Sequence, residues 1–160
     1  MIADNMYPSR ARQLDRLIAK GIPLRQHSGG FPRWVSETAI RAASIGGYVA
    51  RERKARVFRS AARVLNIMPP AEISGVNARP LETAGCGAAV ITEFRPAVPE
   101  LSAIGKEVSA VHDFDDLLEQ AAKLPSERGL TARLSATAAR RAHRDHTYDL
   151  RVTTIQAKLS

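Results

Sequence analysis

The chain has 160 residues, which suits one domain, and its 44% hydrophobic and 25% charged residues are enough for a packed core and too apolar for a disordered segment. It carries 24 Lys+Arg against 16 Asp+Glu, a net charge of +8, and one cysteine, which excludes a disulfide scaffold and any multi-cysteine metal site. No apolar run approaches the ~18 residues of a membrane span, residues 1–5 lack a basic-then-apolar leader, and a lone thiol fits a reducing compartment, so a cytoplasmic location is expected.

In chain order, residues 2–4 are a short predicted strand, and Pro8 and Ser9 open a helix. Between residues 9 and 20, Leu14, Leu17 and Ile18 form a helical stripe that Gly21 ends. Residues 22–27 are a second predicted strand, stopped by Ser28, Gly29 and Gly30, which makes the first thirty residues a βαβ pattern. Gly46 and Gly47 break any helix begun near Ser36. Residues 51–60 form a basic helix with Val57 and Phe58 on its apolar side, and residues 62–67 a buried strand ended by Met68, Pro69 and Pro70.

Residues 77–85 are predicted as a helix, 88–92 as another buried strand and 107–111 as a further short one. Asp113 caps a helix running to about Lys123, with Asp116 at the third following position. Ser126 is expected to cap the next, to about His143. A last helix, 147–159, is expected to pack at the domain's end and to bury Tyr148, Val152, Ile155 and Leu159 along one face. Strands alternating with helices predict an α/β domain with a parallel sheet covered on both faces. Ligands of such open sheets bind outside the carboxyl ends of the strands.

The charge is lopsided. Residues 1–80 hold 14 basic and 5 acidic side chains, residues 81–160 hold 10 and 11, and 19 of the 24 basic residues are arginine. Arginine suits bidentate recognition of phosphate. The stretch 66–92 is the most distinctive. A buried strand runs through a proline-containing loop into a helix entered by Ser74, Gly75, Val76 and Asn77, and then into a second strand. A helix entry offers free N–H groups to an anion, and Gly75 allows close backbone approach. Asn77 and Arg79 are polar residues at the same helix end. Glu82 is placed either to accept from the two hydroxyls of a ribose or to be a solvated helix glutamate; spacing leaves both readings open.

These residues resemble a family. Asn66, the run Gly75-Val76-Asn77-Ala78-Arg79-Pro80-Leu81-Glu82 and Gly85-Cys86-Gly87-Ala88 are similar to the donor-binding segment of glycosyltransferases related to spore maturation protein CgeB. The resemblance continues in Thr92-Glu93-Phe94-Arg95-Pro96, Gly105-Lys106-Glu107-Val108 and His146-Thr147-Tyr148. It reaches back to Asn5-Met6-Tyr7-Pro8-Ser9-Arg10 and Ala61-Ala62-Arg63-Val64-Leu65-Asn66. It implies a Rossmann-like three-layer domain spanning residues 1–160, one half of a GT-B fold, with an N-terminal acceptor domain lying outside this chain. The partner it implies is a nucleotide sugar, which serves as donor substrate rather than as a tightly bound cofactor. A separate N-terminal domain or a second copy would complete the molecule.

By the resemblance, Gly75, Val76 and Asn77 face the diphosphate and sugar through their backbone and Glu82 grips the ribose. Arg79 and Arg10 are candidates to neutralise the diphosphate. Ser74 stands where the broader class often has a second glutamate, and no catalytic residue or metal is assigned.

Other features have plainer explanations. Cys86, between two glycines before a buried strand, is better explained as a small packed residue than as a nucleophile. His143 and His146, three apart, lack a third ligand for a metal. His27 and His112 follow strands, and Tyr7, Phe31 and Trp34 are aromatic, without a pattern that assigns any of them a role. Arg51, Arg53, Lys54, Arg56 and Arg59 spread around their helix and suit a solvated or domain-facing surface. A nucleic-acid module would need a recognition signature, and none is present. A non-catalytic interaction or regulatory half of the same fold stays as the alternative function, with a basic nucleic-acid-binding module ranked behind it.

Overall fold

The computed structural model describes residues 6–27, 30–35, 39–123 and 126–159. The expected strand at residues 2–4 and the expected helix start near Ser36 lie outside them. Among the described residues, three parallel strands form one sheet in the order β1 (Val64–Asn66), β2 (Val90–Glu93) and β3 (Ser109–Val111). Val64 pairs with Val90 and Asn66 with Thr92; Ile91 pairs with Ser109 and Glu93 with Val111.

Successive side chains of a strand point to opposite faces. One sheet face carries Leu65, Ile91 and Val111. It is covered by helix α1 (Pro8–Ala19), through Ala11, Leu14 and Leu17, and by α6 (Phe114–Ala122), through Leu117 and Ala121; Ile40 of α2 (Ala39–Ala42) joins the same cluster. On the other face, Val64 packs with Phe58 of α3 (Arg51–Ser60), and Val90 packs with Val98 of α5 (Val98–Leu101). Helix α4 (Arg79–Gly85) connects β1 to β2 and lies against both. The expected parallel α/β sheet with helices on both faces is therefore the fold of this chain.

Two glycines close helices for a stated reason. Gly21 at φ +77° follows α1, with bonds from Gly21 N to Ile18 O (2.9 Å) and from Ile22 N to Leu17 O (3.1 Å). Gly87 at φ +73° does the same after α4, with Gly87 N to Ala84 O (2.8 Å) and Ala88 N to Thr83 O (3.1 Å). The paired bonds satisfy carbonyls at the helix end and need a residue without a Cβ penalty. The Asp113 cap is formed as expected: its Oδ1 accepts from Asp116 N at 2.9 Å, while Asp116 Oδ2 accepts from His112 N at 3.1 Å.

Three expectations change. Residues 22–27 form no strand; Gln26 makes one isolated bridge to Ser44, through Gln26 N to Ala43 O and Ile45 N to Gln26 O. Pro23 has no N–H to offer a ladder, and the segment is held by α2's end instead of the sheet. Helix α7 (Arg128–Asp145) is not capped by Ser126, whose Oγ donates to Lys123 O at 3.0 Å. Its entry is held at Glu127, whose carboxylate accepts from the buried guanidinium of Arg63 at 2.9 Å. Finally, α8 (Tyr148–Leu159) buries none of its residues: Tyr148, Val152, Ile155 and Leu159 are all exposed, because no element among the described residues covers that stripe.

Candidate functional site

The site begins at the carboxyl end of β1. Asn66 is fully buried. Its Nδ2 donates to Thr92 Oγ1 of β2 at 3.0 Å, and its Oδ1 accepts from Asn77 Nδ2 at 3.2 Å. Asn77 Oδ1 accepts from Arg79 N at 3.2 Å, which starts α4 at Arg79, two residues later than expected. The loop between is fastened to the segment after β2 by Ala97 N to Ser74 O (3.0 Å) and Arg95 Nε to Glu72 O (2.5 Å). A Cβ at Gly75 would meet only the movable carboxylate of Glu72.

Helix α4 has two faces. Pro80, Thr83 and Ala84 are buried. Ala78, Leu81, Glu82 and Gly85 recur at the spacing of one helix stripe and line a cleft of about 420 Å³ together with Val76 and Asn77. The opposite wall is the corner between α7 and α8: Ala142, His143, His146, Thr147, Tyr148 and Arg151. The small side chains Ala84, Ala138 and Ala142 form one buried cluster that brings α7 close to α4. Two ring nitrogens hold the corner in place: His143 Nε2 is 3.0 Å from Gly85 O and His146 Nε2 is 2.9 Å from Leu101 O. A carbonyl only accepts, so each Nε2 carries the proton.

Lys54 of α3 reaches the same region. Its Nζ donates to Glu82 Oε2 at 2.6 Å, with the two side chains 21% and 41% exposed. A half-exposed pair of this kind contributes little to stability, but it orients the carboxylate along the cleft wall. Burial pushes the neighbouring Cys86 thiol up, which keeps it protonated and in keeping with a packed residue.

The structure brings three sequence-predicted residues together: Val76, Asn77 and Glu82 all line the cleft. Gly75 precedes them in the loop. Arg79 and Arg10 do not line it. Arg10 is 3% exposed; its Nη2 donates to Ile67 O at 2.5 Å and its guanidinium lies 5.2 Å from the centre of the Tyr7 ring. It secures the end of β1 from the α1 side.

The sequence reading missed Asn66 as the anchor of Asn77, Lys54 as the partner of Glu82, and the α7–α8 wall. A buried asparagine ending an apolar strand is a signal for the first; the other two depend on contacts between distant segments. It also missed Glu93, whose Oε2 accepts from Met68 N at 2.8 Å and from Arg95 Nη2 at 3.3 Å while Oε1 accepts from Gln13 Nε2 at 3.3 Å. His112 stacks on Phe94 with ring centres 4.6 Å apart. His27 is buried, and burial holds its imidazole below the ordinary range. Among the described residues, no group of three or more His, Cys, Asp or Glu side chains could hold a metal ion, and no helix is long and apolar enough to cross a membrane.

Comparison with known proteins bears on this arrangement. A family model described as glycosyl transferase-like matches residues 10–157. No curated protein matches the chain. Among solved structures, sucrose-phosphate synthase from Thermosynechococcus elongatus superposes with a TM-score of 0.72 at 14% identity, over 93% of this chain and 42% of that one. TarM gives 0.66 at 11% identity, over 98% and 34%. The C-terminal domain of a glycosyl transferase group 1 family protein, LpcC, from Francisella tularensis gives 0.64 at 15% identity, over 92% and 85%. The chain thus spans less than half the length of the first two. At these identities the likeness is one of fold: a Rossmann-like domain of the kind found in GT-B glycosyltransferases.

Proposed function

Since the chain belongs to the glycosyl transferase-like family, we propose that it is the donor-binding half of a glycosyltransferase and takes a nucleoside-diphosphate sugar in the cleft between α4 and the α7–α8 corner. The observation that carries this reading is the convergence of Val76, Asn77 and Glu82 on one cleft of about 420 Å³, a size within the ~300–1,000 Å³ of small-molecule sites. Glu82 accepts from the ribose hydroxyls, with Lys54 holding one carboxylate oxygen. Asn77, pinned by Asn66, sets the loop whose backbone faces the phosphates. Gly75 precedes Asn77 in that loop, and Arg79 lies at its end.

Transfer follows from positioning and from stabilising the diphosphate as it leaves. The acceptor is held by a second domain, separate or in a second copy, outside these 160 residues. The finer kinship is to the CgeB-like group, and the single thiol is the basis for assigning a cytoplasmic setting. Ser74, where the broader class often has a glutamate, favours one other reading, a regulatory half that binds donor without turning it over.

Calorimetric titration with UDP and GDP tests the reading. One of them binds, and Glu82→Gln weakens it about tenfold or more, the scale of a lost hydrogen bond to a charged group. No binding of either at millimolar concentration would overturn it.

A further inference from the structure

The cleft carries two fully charged side chains, Glu82 and Arg151. Glu82 is matched by Lys54. Arg151, exposed on the first turn of α8, makes no hydrogen bond or ion pair through its guanidinium among the described residues. Its neighbours on α7 are committed elsewhere. Arg141 bonds Glu107 Oε2 and Glu100 O, both at 3.2 Å, and Arg144 forms a two-point pair with Asp145 at 2.7 Å. The two arginines that the sequence offered for a phosphate, Arg10 and Arg79, do not line the cleft. The cleft therefore presents one uncommitted planar cation opposite a carboxylate already matched.

From this we infer that Arg151 is the phosphate-recognising residue of the cleft, donating through its fork to the diphosphate of a nucleotide whose ribose lies against Glu82. The inference rests on the proposed donor site and adds a residue to it: the diphosphate lies between the loop entering α4 and Arg151, with the ribose against Glu82. A guanidinium matches two phosphate oxygens at once. Its place is set by the helix start, where Arg151 N bonds Thr147 O at 3.2 Å and Thr147 Oγ1 accepts from Leu150 N at 3.4 Å. The two histidines of the same corner add no competing anion, since an imidazole carries no negative charge, and their Nε2 atoms are occupied by backbone carbonyls.

The test compares diphosphate with nucleoside. Calorimetry is run on the 160-residue chain with UDP and uridine, and with GDP and guanosine, for the unaltered protein, Arg151→Gln and Arg133→Gln. Arg133 is an exposed arginine of α7 outside the cleft, so its loss controls for net charge. The unaltered chain should prefer the diphosphate over its nucleoside, and Arg151→Gln should lower diphosphate affinity about tenfold while leaving the nucleoside unchanged. Arg133→Gln should keep the preference. Should Arg151→Gln bind the diphosphate as well as the unaltered chain does, or should Arg133→Gln lose as much, the assignment of Arg151 fails and the donor site stands. Binding of no nucleotide or nucleoside at all would remove the donor site, and this inference with it.

Discussion

Helices α7 and α8 follow one another in the chain and treat their apolar residues in opposite ways. Helix α7 buries Leu134, Ala138 and Ala142, a narrow stripe of mostly small side chains. Helix α8 has the bulkier stripe, Tyr148, Val152, Ile155 and Leu159, and buries none of it. The difference lies in what is opposite. Ala84 of α4 meets Ala138 and Ala142 closely enough to exclude water, whereas nothing among the described residues covers α8. An amphipathic pattern states that a helix can use a partner; the rest of the chain decides whether it has one.

The contrast sets the order of expected effects. The largest belongs to α7: Leu134→Ala should cost about 2–5 kcal/mol, as for a buried leucine, measured by urea denaturation. Val152→Ser or Ile155→Ser should stay within about 0.5 kcal/mol. If either serine variant unfolds the chain as readily as the α7 change, α8 has a cover and the contrast collapses.

Next comes Asn66→Ala, which removes the donor to Thr92 Oγ1 and the acceptor of Asn77 Nδ2 and should cost about 1–3 kcal/mol, with a loss of nucleotide affinity in the same variant. A stability loss without any change in affinity would separate the Asn66 network from the site.

A smaller effect is expected from pH. Burial, aided by the positive charge of Arg53, holds the folded His27 imidazole below its ordinary 6.5. Below that value the unfolded chain takes up a proton that the folded chain refuses, so this contribution is whole above pH 6.5 and is lost as pH falls. Thermal unfolding across that range should show the decline, and His27→Gln should flatten it.

Only a small change in stability, within about 1 kcal/mol, is expected from Glu82→Gln, which removes a half-exposed ion pair. Its effect belongs to binding.

Local chemistry was legible where it was sufficient. Helix α1 could be read from Pro8, its leucine stripe and Gly21; α6 from Asp113 and Asp116; β1 and β2 from their apolar runs. Residues 22–27 looked like a strand because apolar residues lie between turn signals, but Pro23 and the pairing to Ser44 gave them another role. Glu82 and Asn77 were found as a segment. Their anchors, Lys54 and Asn66, lie 28 and 11 residues away in the chain. The α7–α8 wall exists only because alanines let two helices approach, and no local pattern encodes which helices those are.

The most direct test of the account is an amide-resolved NMR titration of the chain with UDP and GDP. Binding at the cleft predicts that shifts concentrate at Val76, Asn77, Glu82, Thr147 and Arg151. Shifts confined to the outer stripe of α8 from Val152 to Leu159, or to the basic surface of α3, would contradict it.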